Sequence, residues 1–125
     1  MAADTQIIPY LIYRDVAAAL AWLSRAFGFS ETMRTGTASG GIHAEMTLNG
    51  APIMLGQMAG SAAQGAASAQ SHAVFIYLPD VDAHYARARA AGAEIAAAPR
   101  DLPYGRSYTA HDPEGHVWYF TTPPA

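Results

Sequence analysis

His43 and Glu45 are the most chemically capable pair in the chain. They stand two residues apart in an alternating segment, Ile42-His43-Ala44-Glu45-Met46-Thr47-Leu48. Strand side chains alternate between faces, so an imidazole and a carboxylate at this spacing share one side of a sheet. Together they could move a proton as an acid–base pair. With a third donor, for which His72 is the obvious candidate, they could hold a divalent cation. Pairing Leu48 with Ala51 across Asn49-Gly50, a strong hairpin signal, sets Glu45 opposite Met54. Ala44, Met46, Leu48, Ile53 and Leu55 then fall on one face, and His43, Glu45, Thr47 and Met54 on the other. By the same alternation Val117 and Tyr119 face away from Trp118 and Phe120, and Tyr10 and Ile12 share a face with Ile8. Pairing His111 with His116 places Tyr108 and Ala110 beside Tyr119. Tyr10, Met54, Tyr108 and Tyr119 would then line a small-molecule pocket, with His43 and Glu45 as polar handles. The alternation serves a solvated sheet face equally, and each tyrosine could instead pack in the core with its hydroxyl at an edge. Pro103-Tyr104-Gly105-Arg106 adds Tyr104 and Arg106, whose guanidinium could hold a ligand carboxylate or lie solvated on an ordinary Pro-x-Gly turn. His84, His111 and His116 show no partner pattern.

The elements that must hold these side chains are written twice. Asp15-Val16 opens an apolar-periodic run that stops at Gly28, and Asp80-Val81, 65 residues on, opens another that stops at Gly92. Asn49-Gly50 precedes the apolar Ile53-Met54-Leu55, and Glu114-Gly115 precedes Trp118-Tyr119-Phe120 at the same offset. A regular recurrence of this kind means two copies of one supersecondary unit. In the first, residues 6–14 read as a strand with an edge or bulge at Pro9, and Asp15 caps a helix ended by Gly28. Phe29–Arg34, Ile42–Leu48 and Ala51–Leu55 follow as strands. In the second, His72–Leu78 is a strand and Asp80–Gly92 a helix with Val81, Tyr85 and Ala88 on one face. Ala93–Ala98, Arg106–His111 and His116–Thr121 are strands, with a loop over 99–105 and a turn at Asp112-Pro113-Glu114-Gly115. The order is β-α-β-β-β, twice. Between the copies, 57–70 is a small-residue tract that reads as a linker, or as a flap over a site. One domain over 1–125 is expected, with modules at about 5–56 and 71–122.

Hydrophobic residues make up 51% of the chain, enough to build a core. The net charge is −3 and the seven basic residues are all scattered arginines, which argues against nucleic acid as a partner. The absence of cysteine excludes disulfides, thiolate metal sites and a cysteine nucleophile. Neither a signal peptide nor a membrane-spanning stretch is visible, so a cytoplasmic protein without membrane contact is expected.

Several segments carry a family resemblance: Pro9-Tyr10-Leu11 with Arg14-Asp15-Val16, Ala26-Phe27-Gly28-Phe29, and His43-Ala44-Glu45-Met46. In the second half they are Pro79-Asp80-Val81-Asp82-Ala83-His84-Tyr85, Ala90-Ala91-Gly92-Ala93, Pro103-Tyr104-Gly105-Arg106 and Asp112-Pro113-Glu114-Gly115-His116-Val117-Trp118. With the duplication, the chain resembles the vicinal oxygen chelate superfamily, also called the glyoxalase/bleomycin resistance/dioxygenase superfamily. The resemblance implies an α+β fold in which two tandem βαβββ modules make a cup-shaped mixed sheet, with helices outside and ligand inside.

Enzymes of this superfamily usually hold a divalent metal in the cup. The ligands lie on the first strand, seven residues before the capping Asp, and on the last strand, four after the turn glycine. Those positions are Ile8, Ala73, Met54 and Tyr119, none of them a ligand for a hard or borderline divalent ion. His72 is one residue off, which in a strand reverses the face unless a bulge intervenes. No metal or other cofactor is therefore expected, which counts against glyoxalase I, extradiol dioxygenase and fosfomycin-modifying chemistry. The resemblance implies instead a metal-independent homodimer that sequesters a small molecule, aromatic or cationic, like the bleomycin-resistance branch. The alternatives are a lyase-, isomerase- or dioxygenase-type enzyme with a displaced metal set or a His43–Glu45 acid–base pair, and a structural or regulatory dimer with an empty cup. Whether the cup forms within one chain or between swapped halves of two stays open.

Overall fold

Both helices begin and end where local chemistry dictates. In the computed structural model, which describes residues 4–38, 40–57 and 71–125, Asp15 caps α1 (Val16–Phe27), its Oδ1 accepting from the Ala18 N–H at 2.9 Å. Val16, Leu20, Leu23 and Phe27 form its buried stripe. Gly28, at φ 85°, turns the chain back in a left-handed conformation that a side chain would strain. Asp80 caps α2 (Val81–Ala90) in the same way through the Ala83 N–H, and Val81 and Ala88 are its buried residues.

The strands are β1 (Tyr10–Ile12), β2 (Ser30–Gly36), β3 (Ile42–Leu48) and β4 (Ala51–Gly56) in the first module. In the second they are β5 (Ala73–Tyr77), β6 (Glu94–Leu102), β7 (Gly105–His111) and β8 (Val117–Thr122). They make two four-stranded mixed sheets of identical topology, β1-β4-β3-β2 and β5-β8-β7-β6. The first strand of each lies parallel to the last and the other pairings are antiparallel. This is the tandem βαβββ architecture expected from the repeat. The β3–β4 register is also as expected, with Leu48 opposite Ala51 and Glu45 opposite Met54.

Three local expectations are corrected. Among the described residues β1 is only Tyr10–Ile12 rather than 6–14. Pro9 lacks an N–H, though its carbonyl still accepts from the Met54 N–H at 2.9 Å. The edge strand β6 continues through the expected loop to Leu102, taking up Pro99 with register shifts between Ile95 and Ala97 and between Ala97 and Arg100. Most consequentially, His111 pairs with Val117 and not with His116. The β7–β8 turn closes on the Asp112 N–H donating to the His116 carbonyl at 3.1 Å, so it holds one more residue than expected. A shift of one residue reverses every side chain of a strand. Tyr108 and Arg106 accordingly lie on the helix side of the second sheet. Of the tract 57–70, expected as a linker or flap, residues 58–70 lie outside the described residues.

The helix sides of both sheets share one core. Phe27 at the end of α1 meets Trp118 and Phe120 of β8, with ring centroids 5.4 and 4.7 Å apart, and Phe29 meets Trp118 at 5.6 Å. Hydrogen bonds cross the same boundary. Asp112 is buried and accepts from the Tyr13 hydroxyl at 2.5 Å and from Trp118 Nε1 at 3.1 Å. Burial and the neighbouring Asp112 charge push the Tyr13 phenol well above its usual range, so it remains the donor. His84 of α2 donates from Nε2 to the Phe27 carbonyl at 2.8 Å and accepts at Nδ1 from the Tyr108 hydroxyl at 2.6 Å. Arg87 reaches the Ser24 and Arg25 carbonyls at the end of α1. Among the described residues no strand of one sheet pairs with a strand of the other, and no helix is long and apolar enough to cross a membrane.

Candidate functional site

Each sheet turns one face to the shared core and leaves the other open, and the open faces carry the chemistry. On the first, Tyr10 of β1, Met54 and Gly56 of β4, and His43 and Glu45 of β3 lie together by register. The Tyr10 hydroxyl is 2.9 Å from His43 Nδ1, and His43 Nε2 is 3.6 Å from Glu45 Oε2. The second distance is beyond hydrogen-bond range and makes an ion pair only when the imidazole is protonated. The Tyr10 ring reaches His43 only because Gly56 lies beneath it, since a Cβ there would sit 2.3 Å from the Tyr10 hydroxyl oxygen. The sequence brings His43, Glu45 and Met54 together as expected and Tyr10 with them. Gly56 was missed, although a glycine in a strand, in register with a histidine, is itself a signal of close approach.

The second open face is aromatic. Phe75 and Tyr119 sit opposite one another on β5 and β8, with centroids 6.2 Å apart. Tyr77 lies 5.1 Å and Tyr104 6.0 Å from the Phe75 ring. All four stay exposed, between 37% for Tyr119 and 56% for Tyr77. Tyr104 and Tyr119 were expected; Phe75 and Tyr77 were not, because Ala73-Val74-Phe75-Ile76-Tyr77 is apolar on both faces and gives no alternation to read. Beside this cluster, between β5 and the β1–β4 edge, lies an apolar cleft of about 270 Å³ lined by residues including Pro9, Ile53, Phe75 and Tyr77.

Two expected site residues are not there. Tyr108 is fully buried against Phe120, Tyr85 and His84, and burial pushes its phenol up. Arg106 is held between Asp82 at 3.1 Å and Asp101 at 3.2 Å, beside the start of α2. The first follows from the one-residue register of the β7–β8 hairpin, and the second from the two carboxylates that hold the guanidinium. His111 pairs with Glu94 at 3.0 Å. His116 is buried, its Nε2–H donating to the Ile12 carbonyl at 2.9 Å.

The residues present do not fit a divalent metal of the kind the resemblance implies. Met54 and Tyr119 offer a thioether and a phenol, and Ile8 and Ala73 offer nothing. His72 lies outside β5, with its Nδ1 3.0 Å from Ser71 Oγ. Among the described residues no three His, Cys, Asp or Glu side chains converge.

The chain belongs to the Glyoxalase/Bleomycin resistance protein/Dioxygenase superfamily, whose profile matches residues 6–120. It is 35% identical to the uncharacterized protein Rv0887c of Mycobacterium tuberculosis, over 96% of this chain and 75% of that protein. Among solved structures it is similar to TioX from Micromonospora sp. ML1, at 29% identity and TM-score 0.76, covering 97% of this chain and 100% of that one. The fold is shared with FosX, a fosfomycin resistance protein of Listeria monocytogenes, at 18% identity and TM-score 0.72, covering 96% and 92%.

Proposed function

We propose that this chain is a metal-independent small-molecule-binding protein that holds an aromatic compound, cationic or neutral, between its two kinds of open face. The observation that supports this most is the Phe75–Tyr77–Tyr104–Tyr119 cluster. Four exposed aromatic rings, three on one sheet face and Tyr104 on the adjoining β6–β7 turn, are a stacking surface for a flat ligand and would attract a cation to their π faces. The Tyr10–His43–Glu45 face supplies the polar groups that orient such a ligand. Both faces look away from the chain's own core, so a homodimer would close the site by setting the polar face of one copy against the aromatic face of its partner. A cytoplasmic setting suits this role.

The test is calorimetric titration with proflavine, a planar aromatic cation, alongside sedimentation to read the oligomeric state. Saturable binding by a dimer is expected, weakened about tenfold or more in Tyr119→Ala. No saturable heat, or unchanged affinity in the variant, would sink the reading. Protein grown with zinc, nickel, iron and manganese should retain no stoichiometric metal after dialysis; retention would overturn metal independence.

A second reading, a metal-free acid–base enzyme, is favoured by the Tyr10–His43 contact, which could carry a proton between a substrate and the Glu45 side. Unchanged turnover in Glu45→Gln, once a substrate is in hand, would exclude it.

A further inference from the structure

The hydrogen-bond polarity of the Tyr10–His43–Glu45 cluster follows from its charges, and it deepens the binding reading above, on which it rests. The Glu45 carboxylate lies 3.6 Å from His43 Nε2. A neutral imidazole with its lone pair at Nε2 would point that pair at the carboxylate's own lone pairs. With the proton at Nε2 the contact is attractive instead. The carboxylate thus selects the Nε2–H tautomer. His43 Nδ1 is then an acceptor, and the Tyr10 hydroxyl 2.9 Å away donates to it. The Tyr10 proton is turned inward to His43 Nδ1, and the His43 Nε2 proton faces the Glu45 carboxylate without a hydrogen bond to it. Across β2, the Thr35 hydroxyl opposite His43 is turned to the Gly36 carbonyl.

Besides that one Nε2 proton, what the cluster shows to a ligand is lone pairs: those of the Tyr10 oxygen and those of the Glu45 carboxylate. Among the described residues that carboxylate meets no partner but His43. Gly56 holds this polarity in place, because only a residue without a Cβ lets the Tyr10 ring lie where its hydrogen reaches Nδ1.

We infer that this face reads hydrogen-bond donors: it takes an aromatic ligand edged with hydroxyl, amide N–H or ammonium groups. It rejects a body of the same shape that offers only acceptors or a negative charge. A donor satisfies oxygens already desolvated by the aromatic body, whereas an acceptor leaves them facing another lone pair.

Two measurements test this. Long-range proton–nitrogen NMR correlation reads the His43 tautomer without any ligand. The Nε2-protonated form is expected; a ring protonated at Nδ1 would turn the Tyr10 hydrogen outward and overturn the inference. Titration then compares two flat neutral probes, dihydroxynaphthalene and its dimethyl ether. The diol should bind about tenfold more tightly, and that preference should vanish in the Tyr10→Phe/Glu45→Gln double variant. Equal affinities for the two probes overturn the inference alone, leaving the binding reading intact. Binding of neither probe, and none of proflavine, overturns both.

Discussion

The two open faces are built on the same scaffold and carry opposite chemistry. By register, Tyr10 of the first module corresponds to Phe75 of the second, Met54 to Tyr119, and Glu45 to Thr109. His43 corresponds to Ser107, and Gly56 to Thr121. In the first module the missing Cβ of Gly56 admits the Tyr10 ring to His43. In the second, Thr121 fills the equivalent place and donates from its hydroxyl to Ser107 at 2.8 Å, closing a buried polar pair. Phe75, lacking a hydroxyl, is left to stack. One copy thus presents polar lone pairs and the other presents ring faces. The backbone is common to both, and a handful of side chains at matched positions divides the roles.

That contrast can be broken most severely through the core that both faces share. Phe27→Ala should cost about 3–5 kcal/mol, since its ring packs on both Trp118 and Phe120 across the module boundary. Denaturant unfolding would show it as a lower midpoint, and an unchanged midpoint would mean the modules do not depend on one another.

The two crowded glycines sharpen the comparison. A Cβ at Gly105, where φ is 139°, would meet the Thr122 carbonyl oxygen at 2.3 Å, and backbone cannot step aside. Gly105→Ala should lose about 3 kcal/mol. A Cβ at Gly56 meets only the end of the Tyr10 side chain, which can swing away. Gly56→Ala should cost under about 1 kcal/mol of stability yet abolish the donor preference proposed for the first face. Thermal melts and the paired naphthalene titration would separate these effects.

Removing the Tyr13 hydroxyl acts on the boundary alone. Tyr13→Phe deletes one of the donors to buried Asp112 and should cost about 1–3 kcal/mol. Binding at either face should be unaffected once the protein is folded.

The smallest effect is on pH dependence. Burial, and to a lesser degree the Arg87 charge, holds the His84 imidazole below its usual range, while its bond to the Phe27 carbonyl works the other way. The folded state therefore resists protonation at His84 more than the unfolded chain does. Its contribution is present above the ordinary histidine value of about 6.5 and is lost as pH falls below it toward the depressed folded value. His84→Gln should flatten the slope of stability against pH in that window. An equally steep slope in the variant would assign the dependence to other groups.

What could be read along the chain was whatever depends on near neighbours. Asp15 and Asp80 as caps, Gly28 and Gly92 as stops, and the Asn49-Gly50 hairpin with Glu45 opposite Met54 all follow from local backbone chemistry. So does the face shared by His43, Glu45 and Met54. The β7–β8 turn was read one residue short, because Asp112-Pro113-Glu114-Gly115 leaves open whether His116 belongs to the turn or the strand. That single ambiguity carried Tyr108 to the wrong side.

The doubled βαβββ plan, and which side chains of β3 and β4 share a face, are legible along the chain, since strand alternation and turn type are local properties. Long-range packing sets that Tyr13 and Asp112, 99 residues apart, share a buried hydrogen bond and that His84 closes the end of the other module's helix. The same packing gathers Phe75 and Tyr77 with Tyr104 and Tyr119 in an exposed aromatic surface. Such partners meet because apolar surface from both modules is buried in one core, and nothing in the spacing of a chain records which distant groups that burial will bring within reach.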